Sequence, residues 1–348
     1  MFLFFGIKLF SQPFNNEWIV FSQKYYKIKI AKNGLYKIDS AAMAAAGIPV
    51  STINPKKIQL FHKGKEIYPY IFGENDGVLN TNDYILFYAE KNTCKDDSLY
   101  FDKIPYLSNP YYSVINDTAA VFLTWNGSTS NKRLTLNTDT TYSQNIPSPY
   151  YYKEIITGIA ASYSPGPLNF LNLSDPRYKQ GEGFIDGQIY ETQAYNLSIN
   201  TSALYAGGPL VYFTICLSGA NNIGVINTDH YIQNSYTDNT GTPVIVQTDS
   251  IDAYDTRLYN YSVSPSVLGA STTVACSSLV NSATTISNYT NINYMRALLP
   301  QQFNMLNTSE EKMMLPDSAS FETILNKQKE VARIFLYGIK RIPATSSC

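Results

Sequence analysis

A period of two recurs along this chain. Residues 24–30 read Lys-Tyr-Tyr-Lys-Ile-Lys-Ile and largely alternate polar and apolar side chains. Successive side chains of a strand point to opposite faces, so the pattern predicts a strand with one face buried and one in water. Asn33-Gly34 follows, a pair suited to a two-residue hairpin turn, and Leu35-Tyr-Lys-Ile38 resumes the strand character. The expected product is a hairpin.

The pattern breaks once. Asp39 precedes Ser40-Ala-Ala-Met-Ala-Ala-Ala46. Its side chain can accept from the unpaired amides of a helix start, and alanine is the best helix former. Gly47 can close a helix in the left-handed conformation, and Pro49 stops its continuation. A short capped helix is expected between strands. Strands then resume at Ile58–His62, Glu66–Phe72 and Tyr84–Ala89, with a hairpin from Tyr111 to Trp125. From residue 190 a second series begins: Glu191–Ile199, Leu210–Leu217, Gly224–Ile226, Pro243–Gln247, Arg257–Val263, Ser271–Cys276 and Asn293–Leu299.

Composition agrees. The chain has 29 tyrosines and is only 15% charged, against roughly 25% in ordinary soluble domains, so neutral polar groups cover much of the surface. The fold class expected is mainly β. A small β-rich N-terminal domain with one short helix (15–126) precedes a linker and irregular segment (127–189). A β-sandwich of jelly-roll-like topology (190–302) and a partly helical tail (303–348) follow. In the tail, Ser320–Arg333 fits a helical face. The apolar run in residues 1–12 suits a shortened signal peptide, and no later segment is long and apolar enough for a transmembrane helix.

Charge is unevenly spread. The first 69 residues hold ten lysines against Glu17, Asp39 and Glu66. Such a segment can meet an anionic surface such as lipopolysaccharide, although lysines at 24, 27, 29, 32 and 37 also read as solvated strand faces. No nucleic-acid partner is expected.

The search for chemistry yields little. Cys94, Cys216, Cys276 and Cys348 include no Cys-x-x-Cys pair and no Cys/His cluster at metal spacing. One bridge, for instance Cys216–Cys276, and isolated buried thiols both remain open. A thiol or hydroxyl nucleophile needs a base beside it, and His62 and His230 lie in no motif that would supply one. Gly181-Glu-Gly183 lacks the third glycine and the Lys-Ser/Thr of a phosphate loop. The carboxylates, Asp186 among them, form no telling pair of the kind that flanks a glycosidic bond. In the loop Glu74–Asp83, Asp76, Asn80, Asn82 and Asp83 offer oxygen ligands of the kind calcium takes, yet the spacing is not that of an EF-hand. The competing reading is a turn-rich loop whose side chains bond local amides. No catalytic residue and no cofactor are assigned.

The order of the motifs resembles a known family. Trp18, Tyr26-Lys-Ile-Lys-Ile30, Asn33-Gly-Leu-Tyr-Lys-Ile38, Ala46-Gly-Ile48 and Pro55-x-x-Ile-x-Leu-Phe61 come first. Asp76-Gly-Val-Leu79, Asp83-Tyr-Ile-Leu-Phe-Tyr88, Tyr150-Tyr-Tyr-Lys-Glu154, Gly181-Glu-Gly-Phe184, Tyr294-Met-Arg and Phe303-Asn-Met follow. This series is similar to the N-terminal region of the type IX secretion system sortases, gingipain-like cysteine peptidases of the Bacteroidetes. At Phe184-Ile-Asp-Gly187 it departs from the family's Trp-Phe-Gly run. The resemblance implies an exported protein at the outer membrane or cell surface. It places the peptidase His and Cys in a domain downstream of this region, and it implies that domain and the secretion machinery as partners. The region itself would be a non-catalytic accessory to a cysteine peptidase. A stand-alone surface adhesin or glycan-binding β-protein is the alternative, because exposed tyrosines offer a ligand an apolar face with a polar tip.

Overall fold

The computed structural model describes residues 16–100, 108–134, 149–157, 162–174, 177–222, 224, 229–280, 288–304, 306, 313–314 and 316. The leader read at 1–12 and the helix read at Ser320–Arg333 lie outside the described residues, as does most of Gly224–Ile226. The chain is mainly β and clusters into two units.

The first unit holds the described parts of 16–92 and 116–134. Its elements are β1 (Tyr26–Ile30), β2 (Gly34–Asp39), α1 (Ser40–Ala45), β3 (Ile58–His62), β4 (Lys65–Ile67), β5 (Tyr70–Phe72), β6 (Tyr84–Ala89) and β7 (Ala119–Trp125). One antiparallel sheet runs β1-β7-β3-β4, and a second runs β2-β6-β5. Ile30, Ile58, Leu60, Val121 and Leu123 from the first meet Ile71, Ile85 and Phe87 from the second in one core, which Met43 and Ile48 complete.

The helix forms as its residues dictate. Asp39 accepts from Ala42 N at 2.8 Å, capping the start. At the other end Gly47 has φ +76°, Gly47 N donates to Ala44 O, and Ile48 N donates to Met43 O. This is the Schellman arrangement, in which a left-handed glycine lets two late amides satisfy carbonyls of the last turn. The hairpin expected at Asn33-Gly34 does not form: β1 pairs with β7, and β2 pairs with β6 in the other sheet. Asn33 accepts from Lys91 N instead. A long register between β2 and β6, which sets Tyr36 opposite Phe87 and Ile38 opposite Ile85, outweighs the local turn preference. The tight turn lies at Lys63-Gly64, both with positive φ, between His62 and Lys65.

The second unit holds the described parts of 93–115 and of the chain from 149 onward. Its strands are β8 (Tyr151–Ile156), β9 (Ser162–Pro165), β10 (Glu182–Ile185), β11 (Gly187–Tyr190), β12 (Ala194–Asn200), β13 (Val211–Gly219), β14 (His230–Thr237), β15 (Pro243–Ile251), β16 (Thr256–Val263), β17 (Ser271–Leu279) and β18 (Tyr289–Gln301). The eight strands from β11 to β18 divide between two antiparallel sheets, β11-β18-β13-β16 and β12-β17-β14-β15. That interleaved order is a jelly roll. Phe213, Ile215, Leu217, Ile292, Met295 and Leu299 from one sheet pack against Ile199, Ile232, Ile251 and Val274 from the other. β8 extends the first sheet beside β18, and β9 and β10 form a separate two-stranded sheet.

Three sequence expectations are corrected here. Residues 111–115 make no hairpin with β7, because 93–115 belongs to the second unit, where Asn109 Nδ2 donates to Asn293 O and Ser108 Oγ donates to Glu182 O. Residues 131–133 are not a spacer: all five N–H groups of Arg133 are used, by Glu74 Oε2 at 2.8 Å and the carbonyls of Pro55, Lys56, Ile58 and Lys132. The segment 127–189, read as linker and irregular, contains β8, β9, β10 and most of β11, strands short enough for their Tyr, Gly and Pro residues to hide the period.

Ile215 is fully buried on β13, whereas Leu258 on the neighbouring β16 is 55% exposed. Ile215→Ala is expected to cost about 2–5 kcal/mol of unfolding free energy in urea titration, and Leu258→Ala less than about 0.5.

Candidate functional site

The oxygen-rich loop of the first unit is built from its own bonds. Asp76 Oδ1 accepts from Val78 N at 3.0 Å, and Oδ2 accepts from Asn80 Nδ2 at 2.9 Å. The Val78 amide, then the Asn80 amide, holds the Asp76 carboxyl below its usual range. Asp83 is buried and its Oδ2 accepts from Asn80 N at 2.7 Å. A Cβ on Gly73 would stand 1.9 Å from Asp83 Oδ1, so this turn admits only glycine. The fold therefore brings Asp76, Asn80 and Asp83 together, while Asn82 is exposed and outside these bonds. Among the described residues no group of three or more His, Cys, Asp or Glu is placed to hold a metal ion.

The thiols and histidines are built into packing. Cys276 faces the jelly-roll core. Cys216 lies on the opposite face of its sheet, where Sγ meets Ser108 O at 3.4 Å and Asn293 Nδ2 at 3.6 Å. Cys94, Cys216 and Cys276 are unbridged, and burial pushes each thiol up to about 12. His62 Nδ1 meets Ala120 O at 3.1 Å. His230 Nε2 lies 3.0 Å from Asn221 O and 2.9 Å from Ala253 O, which requires the proton on Nε2. Burial lowers the His230 pKa, and Gly219 makes room for it: a Cβ there would meet Ala253 O at 1.7 Å and the imidazole Nε2 at 2.5 Å.

An opening in the second unit lies on the outward face of the β11–β18 pair, beside β9 and β10. Ile189 and Ile292 face the core, so their neighbours Gln188 and Asn291, directly paired in register, face the other way. Gln188 Nε2 donates to Asn291 Oδ1 at 2.9 Å, and Asn291 Nδ2 donates to Ser164 Oγ at 3.1 Å. Tyr163, the residue before Ser164 on β9, is also among the lining residues. Its hydroxyl donates to Glu182 Oε1 at 2.6 Å, and its ring meets Phe184 edge-on at 5.5 Å. Glu182 is buried, and its Oε2 accepts from Lys179 N at 2.9 Å. The glycines around Glu182 are obligatory. Gly181 (φ +78°) approaches Tyr254 O, and a Cβ on Gly183 (φ +133°) would stand 2.4 Å from Ser108 Oγ. Gly181-Glu-Gly183 is thus the turn that fixes Tyr163.

One wall of the opening is the loop 166–173. Asn169 Oδ1 accepts from Leu171 N at 2.9 Å and Leu173 N at 3.0 Å, and Asn169 N donates to Leu173 O. The cleft encloses about 550 Å³ among Tyr163, Leu168, Asn169, Gln188, Tyr254 and Asn291, and among the described residues no charged side chain lines it. Sequence reading missed these residues. They span more than a hundred positions and carry no spacing rule; only the pairing of β11 with β18 unites them.

The architecture defines a class: a mainly β protein with a jelly-roll β-sandwich. No protein-family model and no curated protein matches the chain. Among solved structures, dimeric latent PorU from Porphyromonas gingivalis is similar over 81% of this chain and 24% of its own, at 10% identity and a TM-score of 0.49. The chain thus spans about a quarter of that protein's length. TmCBM61 in complex with β-1,4-galactotriose is similar over 31% of this chain and 67% of its own, at 10% identity and a TM-score of 0.21. BuGH86 in complex with neoagarooctaose is similar over 82% and 33%, at 12% identity and a TM-score of 0.24. At these values no likeness bears on what this chain binds or does.

Two measurements test this geometry. Iodoacetamide labelling read by mass spectrometry at pH 8 is expected to modify Cys94, Cys216 and Cys276 at least about a hundredfold more slowly in the native protein than in urea. Because the folded pKa of His230 lies below its ordinary 6.5, its contribution to stability is complete above pH 6.5 and is lost as pH falls through the folded value. The drop in unfolding free energy from pH 7 to 5 is expected to be shallower in His230→Gln, which keeps an N–H donor.

Proposed function

We propose that this chain is a non-catalytic accessory region of an exported, gingipain-like sortase of the type IX secretion system, acting at the outer membrane or cell surface. The ordered motif series running from Trp18 to Phe303 supports the family, and the packing of the chain's reactive groups supports the accessory role. The observation that carries the reading is that Cys94, Cys216 and Cys276 are buried with raised pKa values while His62 and His230 each face backbone carbonyls. A nucleophilic thiol needs access and a neighbouring base, and this packing offers neither to those three. The partners in this reading are a peptidase domain and components of the secretion machinery, and the lysine-rich first 69 residues suit contact with anionic lipopolysaccharide. No helix among the described residues is long and apolar enough to cross a membrane.

The test is made in the organism that encodes the chain. In-frame removal of residues 16–304 is expected to leave cargo proteins with their C-terminal sorting signals uncleaved, read by mass spectrometry of the culture medium. The purified chain is expected to cleave no sorting-signal peptide. Normal cargo processing after the deletion, or thiol-dependent cleavage by the chain alone, sinks the reading.

A further inference from the structure

We infer that the cleft between the loop 166–173 and the β11–β18 pair binds a neutral oligosaccharide. The ligand class follows from what the cleft offers. Among the described residues its lining holds no cation for a phosphate or carboxylate and no acid for an amine, which suits an uncharged ligand. Its polar groups are carboxamides and hydroxyls, which both donate and accept, as sugar hydroxyls do. Its apolar lining comprises Pro165, Leu168, Ile185 and Ala220 with Tyr163 and Tyr254, and such surface suits the C–H face of a pyranose ring. The volume, about 550 Å³, lies within the roughly 300–1,000 Å³ of ordinary ligand sites.

Bonding capacity is left over at the opening. Gln188 is exposed and commits one amide hydrogen to Asn291; its Oε1 has no partner among the described residues. Asn169 spends Oδ1 on its own loop and leaves Nδ2 unspent. The Asn172 side-chain carboxamide and the Tyr254 hydroxyl likewise have no hydrogen-bond partner among the described residues. The groups already bonded serve to fix these. Asn291 is fully buried and orients Gln188, and Glu182 and Phe184 hold the Tyr163 ring while leaving it 43% exposed. A ring and a row of amides held before the ligand arrives lose little freedom on binding, which is how a shallow site gains affinity. A cleft of this kind would serve an accessory region of a surface sortase and a free-standing surface protein alike.

The test is a calorimetric titration of the purified full chain against neutral tetrasaccharides. The panel is built from glucose, galactose, mannose, xylose and N-acetylglucosamine, with a tetragalacturonate and a neutral tetrapeptide as comparators. At least one neutral tetrasaccharide is expected to bind with a dissociation constant of about 1 mM or tighter. Gln188→Ala and Tyr254→Phe are each expected to weaken it about five- to tenfold, the worth of one or two hydrogen bonds. Tyr163→Ala is expected to abolish it. Gln188 is exposed, so its variant reports on binding even if Tyr163→Ala does not fold. Absence of saccharide binding up to about 5 mM, binding indifferent to Gln188→Ala and Tyr254→Phe, or preference for the peptide or the charged saccharide overturns the inference.

Discussion

The two central strands of one jelly-roll sheet, β13 and β18, are buried on both faces, and different physics buries each. Along β13 and β18 the inward residues Phe213, Ile215, Leu217, Ile292 and Met295 are apolar and meet the opposite sheet. The outward residues Cys216, Ser218, Asn291 and Asn293 are buried as well, although polar. Buried polar groups are tolerable only when bonded. Here Ser218 Oγ donates to Asn293 Oδ1 at 3.1 Å, Asn293 O accepts from Asn109, and Asn291 meets Ser164 and Gln188. The segment 108–113 and the β9–β10 pair are held by this layer of amides, and the cleft exists because they are held.

Glu182 extends the same logic to the surface. A buried carboxylate is costly unless its oxygens are filled, and Tyr163 and Lys179 N fill them. The requirement propagates outward. The turn must contain glycines at 181 and 183 to bring the acid into place, and the tyrosine it binds becomes a fixed wall of the cleft. The first unit relies on a comparable device, Arg133, four of whose five donors reach Glu74 and the carbonyls of Pro55, Lys56 and Ile58.

Local rules read from sequence succeeded where they were self-sufficient and failed where a distant partner decided. The α1 cap needed only Asp39, Gly47 and their immediate amides. The Asn33-Gly34 turn signal was sound chemistry overruled by pairing of β2 with β6, some fifty residues away. β14 escaped notice for a different reason. Its buried positions are His230, Ile232, Asn234 and Tyr236, so the inward face carries two strongly polar residues and the alternation disappears from a hydropathy reading. The loop at 74–83 showed its oxygen-bearing residues plainly, yet only the fold reveals that Asp76 and Asp83 spend oxygens on the amides of Val78 and Asn80.

By itself the sequence determined the class of structure. Period-two runs, β-branched and aromatic residues, and turn residues at short intervals are local properties, and they suffice for a mainly β chain with one short helix and a jelly-roll-like second half. Tertiary structure alone decided which strands pair, that residues 93–115 join the second unit, and that a cleft of Tyr163, Gln188, Tyr254 and Asn291 forms. The physical reason is range. A strand's character is set by its own residues, but its partners and outward face are set by hydrogen bonds and burial contributed from far along the chain.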